Sequence, residues 1–224
     1  LLFDSDLQLY RTTPLPTDLG KYYESEAYIS HTDSRKILFD RLYQWVKSYN
    51  LKHKIALIKQ YKKENIHLLD IGAGTGDFVL SSKKYAHWEA MGIEPSEKAR
   101  AKAEEKGLLL QADFSELLPH SFDVITMWHV LEHVPDVTQE IQIISNLLKE
   151  NGISLIAVPN YRSWDAQHYK EHWAAYDVPR HLWHFSKKSI EQLFAKEGFE
   201  LLAIHPMLFD AFYVSMLSEQ YKTG

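Results

Sequence analysis

From Ile66 to Val158, short apolar runs alternate with amphipathic stretches. The runs fall at residues 67–71, 89–93, 108–111, 122–128 and 153–158, each of strand length. Between them, residues 77–85, 96–106 and 137–150 carry apolar side chains at helical spacing. Ser96 is placed to cap the second of these helices, Gly107 to stop it, and Asn151-Gly152 to end the third. A further helix is expected at 187–197, a sixth strand at 199–205 and a last helix at 208–221, with no seventh strand legible. Strands alternating with helices imply right-handed crossovers, so the expected fold class is α/β, a doubly wound, mostly parallel sheet. Upstream, Ile37, Leu38, Leu42, Trp45 and Val46, then Ile55, Leu57 and Ile58, recur at helical spacing and predict one or two helices over 34–63. Residues 1–30, with Pro14, Pro16 and the tyrosines Tyr22, Tyr23 and Tyr28, read as irregular.

The expected organisation is therefore an N-terminal lid and helical segment over 1–63 and a main domain over 64–224. Residues of about 160–186 form a loop insertion in that domain. At 224 residues and 45% hydrophobic content the chain is long enough to bury a real core. A net charge of −5 gives no global footprint for nucleic acid or an anionic membrane. The Lys-rich stretch 47–63 reads as the solvated face of an amphipathic helix. The absence of cysteine excludes disulfides and thiolate chemistry and suits a reducing cytoplasm. No apolar run approaches the roughly 20 residues of a membrane helix, and no signal peptide is visible. With no initiator Met at Leu1, the native chain is expected to begin upstream.

The strongest chemical signal is Leu68-Leu69-Asp70-Ile71-Gly72-Ala73-Gly74-Thr75-Gly76-Asp77-Phe78. An apolar strand ends in an acid, turns through alternate glycines and enters a helix, at the carboxyl end of the strand where open parallel sheets bind ligands. Dinucleotide enzymes favour a third glycine one residue later. A carboxylate at Asp70 would repel a pyrophosphate but accept hydrogen bonds from an ammonium group. Glu94, followed by Pro95, ends the second strand 18 residues after Gly76, close to the roughly 20-residue offset of an acid that binds ribose hydroxyls. Asp113 and Phe114 follow the third strand, where a carboxylate can accept from an adenine amino group and a ring can pack on the base. A lone Asp in that place is otherwise a turn residue.

In this order, with Phe122-Asp123-Val124-Ile125 and residues 148–159 behind them, these motifs resemble class I S-adenosylmethionine-dependent methyltransferases over roughly residues 60–205. The stretch Trp128-His129-Val130-Leu131-Glu132-His133-Val134-Pro135 is similar to the branch containing the ubiquinone-biosynthesis O-methyltransferases. The resemblance implies S-adenosylmethionine as cofactor. Asp70, Gly72 and Gly74 would hold its methionine end, Glu94 the ribose and Asp113 the adenine, with Phe114 packing on the ring and Ala73, Gly76 and Pro95 also among the cofactor-binding residues. Trp128 and His129 would line it and face a small-molecule acceptor. Some relatives carry Glu where this chain has His129 and are metal-assisted. The spacing of His129, Glu132 and His133 could fit a metal, but ordering of the loop after strand four by Glu132-His133 explains it better, and no metal is assigned.

A second cluster runs from Trp164 to Phe185. Trp173 and Tyr176 are candidates to wall an acceptor pocket, and Arg180 to hold an anionic group on the acceptor. His181 and His129 are the candidate general bases, with an Asp177–His181 brace as the plainer reading of the former. O-methylation is the expected transfer. N-methylation or sugar methylation, a non-catalytic cofactor-binding module and a nicotinamide-dependent oxidoreductase are the alternatives. Oligomeric state is not legible.

Overall fold

The computed structural model describes residues 1–17, 22, 36–63 and 65–224, with the side chains of 36–45 left aside. The chain forms two compact units. One comprises Ile29–Trp128 and Asn146–Ile156, the other Leu1–Tyr28, His129–Ser145 and Ala157–Gly224. The expected lid over Tyr22–Tyr28 lies, Tyr22 excepted, outside the described residues.

The first unit holds a four-stranded sheet. Numbered along the chain after the two short N-terminal strands, its members are β3 (His67–Ile71), β4 (Glu89–Ile93), β5 (Phe122–Trp128) and β6 (Leu148–Ala157), in the order β4-β3-β5-β6. β3 is parallel to β4 and to β5, and Asp70 stands in register with Gly92 on one side and Thr126 on the other. Helix α1 (Lys36–Tyr61) is single and continuous. α2 (Asp77–Ser81) runs on into a π-helical turn over Ser82–Ala86, and α3 (Glu97–Glu104) follows β4. Ser96 caps α3 through Ala99 N–H, and Gly107 stops it at φ 78°. The core joins Ile55 and Ile58 of α1, Leu68, Ala90 and Val124 of the sheet, and Phe78, Trp88 and Leu108 from the connections. Each such large apolar side chain contributes roughly 1.5–3 kcal/mol on burial.

Three expectations are corrected in or beside this sheet. Residues 108–111 form no strand, only a single parallel bridge from Gln111 to Ile93. Leu109 is 81% exposed, so its side chain gains no burial that would reward a full ladder. The helix expected over 137–150 ends at Leu147, and Asn151-Gly152 lies within β6 rather than at a helix exit. The carbonyls of Asn146 and Leu147 accept from the N–H groups of His120 and Ser121, and that of Leu148 lies 2.9 Å from His120 Nδ1, which aligns this segment beside the one leading into β5.

The second unit contains an antiparallel sheet of β1 (Leu2–Asp4), β2 (Leu9–Arg11) and β7 (Trp183–His184) in that order. The N-terminus is thus not irregular throughout. Asp4 Oδ1 accepts from the N–H groups of Asp6 and Leu7 and closes the turn between β1 and β2. Helices α4 (Val137–Leu147, which belongs here as far as Ser145), α5 (Trp164–Tyr169), α6 (Lys187–Lys196) and α7 (Leu208–Thr223) complete it. Asp136 caps α4, and Ser186 with Ser189 forms a capping box on α6. The strand expected at 199–205 is absent. A strand needs a ladder partner, and none of the described residues pairs with this stretch, whose Leu202 is 62% exposed. Among the described residues no helix is long and apolar enough to cross a membrane.

Candidate functional site

In the unit built on the parallel sheet, the glycine turn leaves β3 where the sequence places it. Gly72, Gly74 and Gly76 have φ of 71°, 55° and 75°, left-handed conformations that L side chains adopt only under strain. A Cβ on Gly76 would lie 2.3 Å from Leu108 Cδ2, whereas one on Gly74 would meet nothing within 4 Å. Gly76 is therefore small for packing, and Gly74 keeps open space over the turn. Ala73 N–H donates to the Ile93 carbonyl at 2.8 Å, tying the turn to the end of β4.

The three candidate acids are in different states. Asp70 is buried and accepts a 2.6 Å hydrogen bond from Thr126 Oγ1. Burial pushes its carboxyl up to about 7, against the opposing pull of Thr126 and the Lys54 charge. Glu94 accepts from Gly74 N–H at 2.8 Å through one oxygen and from Ser96 N–H at 2.9 Å through the other. Its carboxylate is thereby fixed in one orientation with lone pairs to spare. Arg100 donates to the backbone carbonyls of Glu94 and Pro95 and steadies the same corner. Asp113 is exposed and accepts from Ser115 N–H, and Ser115 holds its carboxyl below the usual range. Phe114 beside it is half-buried.

Trp128, at the end of β5, packs edge-on against Phe78 with ring centroids 5.5 Å apart. Lys54 Nζ lies 4.3 Å from its ring centroid. Its indole N–H is buried with no hydrogen-bond partner among the described residues, a donor for which a ligand would be one partner. Asp77 takes Lys47 and Lys106 at 2.8 and 3.0 Å. Despite partial burial these bonds, with that from Thr75, hold its carboxyl below the ordinary value.

The remaining candidates lie in the other unit. His129 sits at φ 60°, with Nε2 2.9 Å from Asp210 Oδ2 and Nδ1 3.7 Å from Glu132 Oε1. Burial works against its charge, but the two acids outweigh burial and push the imidazole up to about 9. His181 is buried, and its Nδ1 lies 2.8 Å from the Ala175 carbonyl. A carbonyl only accepts, so Nδ1 carries the proton and Nε2 the lone pair. Burial holds this ring below its ordinary pKa.

Arg180 is paired with Asp177 Oδ1 through Nε and a terminal nitrogen at 3.0 and 2.6 Å, so an acceptor anion would compete with Asp177 for it. Trp173 is 5% exposed, packed in a small core with Ala166 and Ala175. Tyr176 is half-buried and lines an open depression of about 630 Å³ with Tyr10, Tyr161 and Lys170.

Several participants carry no motif in the sequence. Thr126 is legible in hindsight as the one hydroxyl within an apolar strand, in register with Asp70. Asp210 partners His129 from 81 residues downstream, a distance no local pattern spans.

A family model described as a methyltransferase domain matches residues 41–204. The ubiquinone biosynthesis O-methyltransferase of Histophilus somni is 35% identical over 115 residues, covering 43% of this chain and 47% of that protein. Its counterpart in Pelagibacter ubique is 38% identical over 107 residues, covering 43% of each. The chain thus spans under half the length of these relatives. Among solved structures, a SAM-dependent methyltransferase from Archaeoglobus fulgidus aligns with a TM-score of 0.57 at 18% identity, over 83% of this chain and 90% of that one. Phosphoethanolamine N-methyltransferase 2 of Haemonchus contortus, in complex with S-adenosyl-L-methionine, aligns with a TM-score of 0.57 at 20% identity over 75% and 41%. At these identities the structures show the shared fold.

Proposed function

The chain belongs to the methyltransferase domain family, and on that premise we propose that it transfers a methyl group from S-adenosylmethionine to a small-molecule acceptor, as an O-methyltransferase. The observation that carries this reading is the open left-handed turn at Gly74, whose N–H fixes the Glu94 carboxylate. When bound, the cofactor supplies a methyl group already activated on a sulfonium. Around it, Asp70, Gly72, Ala73, Gly74 and Gly76 serve the methionine end. Glu94 and Pro95 serve the ribose, Asp113 and Phe114 the adenine, and Trp128 and His129 border it. The buried, raised Asp70 suits an ammonium partner, which would favour its ionised form. The chain's own share of catalysis is chiefly positioning, which contributes roughly 7–11 kcal/mol in well-oriented reactions.

For the acceptor we assign Trp173, Tyr176 and Arg180, with His129 or His181 taking the hydroxyl proton. A general base adds about 10²–10⁴-fold. Paired with Asp210, His129 carries its proton at neutral pH, whereas the lone pair of His181 Nε2 is available to accept one. A cytoplasmic setting, with neither nucleic acid nor membrane as partner, accords with the net charge of −5 and the lack of cysteine.

Calorimetric titration with S-adenosylhomocysteine beside NADH, on wild type and Glu94→Ala, tests the reading. Selective binding of S-adenosylhomocysteine, weakened at least tenfold in the variant, supports it. Binding of NADH alone, or of neither, overturns it. A screen of hydroxylated acceptors then separates O-methylation from the other transfers.

A further inference from the structure

The unit built on the parallel sheet carries a basic surface that is only partly legible in the sequence and is independent of the methyl-transfer reading. We infer that the exposed face of α1 and the π-helical turn beside it dock an acidic helical segment of a partner protein.

From Val46 onward the chain has Lys47, Lys52, Lys54, Lys59, Lys62 and Lys63 and no acid before Glu64. Some of these lysines are engaged within the fold: Lys47 by Asp77, Lys62 by the Asn151 carbonyl, and Lys54 over the Trp128 ring. Ile55, Leu57 and Ile58 are buried, so the exposed face of α1 is the opposite one. It presents Lys52, Ala56, Lys59 and Gln60 at i, i+4, i+7 and i+8. Lys63, just past the helix end, is exposed as well. Among the described residues no carboxylate pairs with Lys52, Lys59 or Lys63.

The π-helical turn Ser82–Ala86 adds a second basic segment. Residues 78–88 contain no Asp or Glu, and Lys83, Lys84 and Tyr85 are exposed. The two segments meet at Tyr85, whose ring centroid lies 5.4 Å from Lys52 Nζ and 5.2 Å from Lys84 Nζ. This half-exposed aromatic ring thus sits beside two ammonium groups that repel each other, an arrangement an added anion relieves. The helix macrodipole favours lysine near a C-terminus, which accounts for Lys59 and Lys84 one by one. It accounts neither for Lys52, well inside α1, nor for the lack of acid in both segments.

Footprint and composition select the partner. Lys52 and Lys59 stand two helical turns apart, roughly 10.5 Å along the axis, and Ala56 between them leaves a low floor on which a second helix can close. Carboxylates two turns apart on an acidic helix meet both ammonium groups. Tyr85 at the flank offers contact area of the kind enriched at protein interfaces. A long polyanion or an anionic membrane would reach past this patch onto a protein of net charge −5. Neither segment contains arginine, whose fork grips phosphate in two places. A short acidic protein segment therefore fits the surface better than a nucleic acid does.

The test titrates the whole chain, at about 50 mM salt, against a labelled helical peptide rich in alanine with glutamates two turns apart, read by fluorescence anisotropy. A labelled oligothymidylate is titrated beside it, and vesicles of phosphatidylcholine with phosphatidylglycerol are tested by co-sedimentation. We expect the peptide to bind with a dissociation constant in the tens of micromolar, weakened at least threefold at about 300 mM salt. Lys52→Glu combined with Lys84→Glu weakens it at least tenfold. Lys187→Glu combined with Lys188→Glu, an equal change of charge at the exposed start of α6, changes it less than threefold. Should circular dichroism show that the first pair disturbs the fold, Lys59→Glu alone decides, with a loss of at least threefold. Absence of peptide binding overturns the inference. So do equal losses in the two double variants, binding indifferent to salt, or tighter binding of the oligonucleotide or the vesicles than of the peptide.

Discussion

At the residue scale, Asp70 couples the fold to pH. Its carboxyl is raised to about 7 from an ordinary 3.8, first by burial. Between those pH values the folded chain retains a proton that the unfolded chain releases. Stability from this group is therefore present at low pH and lost as pH rises through 7. The full span is about 4 kcal/mol at 1.36 kcal/mol per pH unit. Urea denaturation should show Asp70→Asn changing the difference in stability between pH 5 and pH 8 by a few kcal/mol, with the variant the less pH-sensitive. An equal pH dependence in both would show that Asp70 does not titrate in this range.

At the element scale, the glycine turn separates two roles that look alike in the sequence. Gly76→Ala drives a Cβ into Leu108 at positive φ, and a cost of about 1–3 kcal/mol is expected in thermal melting. Gly74→Ala pays mainly the left-handed backbone penalty, about 1–2 kcal/mol, but places a methyl group in the open space above the turn. It should lose more affinity for S-adenosylhomocysteine, measured by calorimetry, than Gly76→Ala loses at temperatures where both are folded. The reverse order would place the ligand elsewhere.

The parallel strands were legible in the sequence because β3 and β5 are mostly buried, mainly apolar runs with sharp ends. The same holds for α3, with its Ser96 cap and Gly107 stop. Where local pattern and tertiary partner parted, the pattern failed. The stretch 199–205 is apolar enough to read as a strand but pairs with none of the described residues, and residues 108–111 reach the sheet only at Gln111. The hairpin of β1 and β2 was invisible because its partner β7 comes from the other end of the chain. In the candidate site, the left-handed glycine turn could be read because it is local. The rearrangement that sends His129 to Asp210 depends on long-range packing.

At the scale of the whole molecule, apolar residues are unevenly used. Phe78 is 5% exposed in the core of the sheet unit, while Phe212 on α7 is 67% exposed. Phe78→Ala should cost about 3–5 kcal/mol and Phe212→Ser less than about 0.5 kcal/mol, both read from denaturant midpoints. A large loss for the latter would mean that α7 is covered in solution.

The ladder between β2 and β7 sets a timetable for synthesis. Tyr10 pairs with His184, so β2 has its β7 edge uncovered until synthesis has advanced from Tyr10 to His184. At about 5–20 residues per second that interval is roughly 9–35 s. Throughout it the nascent hairpin offers an open edge to any neighbouring strand, so this segment of the ribosome-bound chain stays exposed to mispairing for the whole interval.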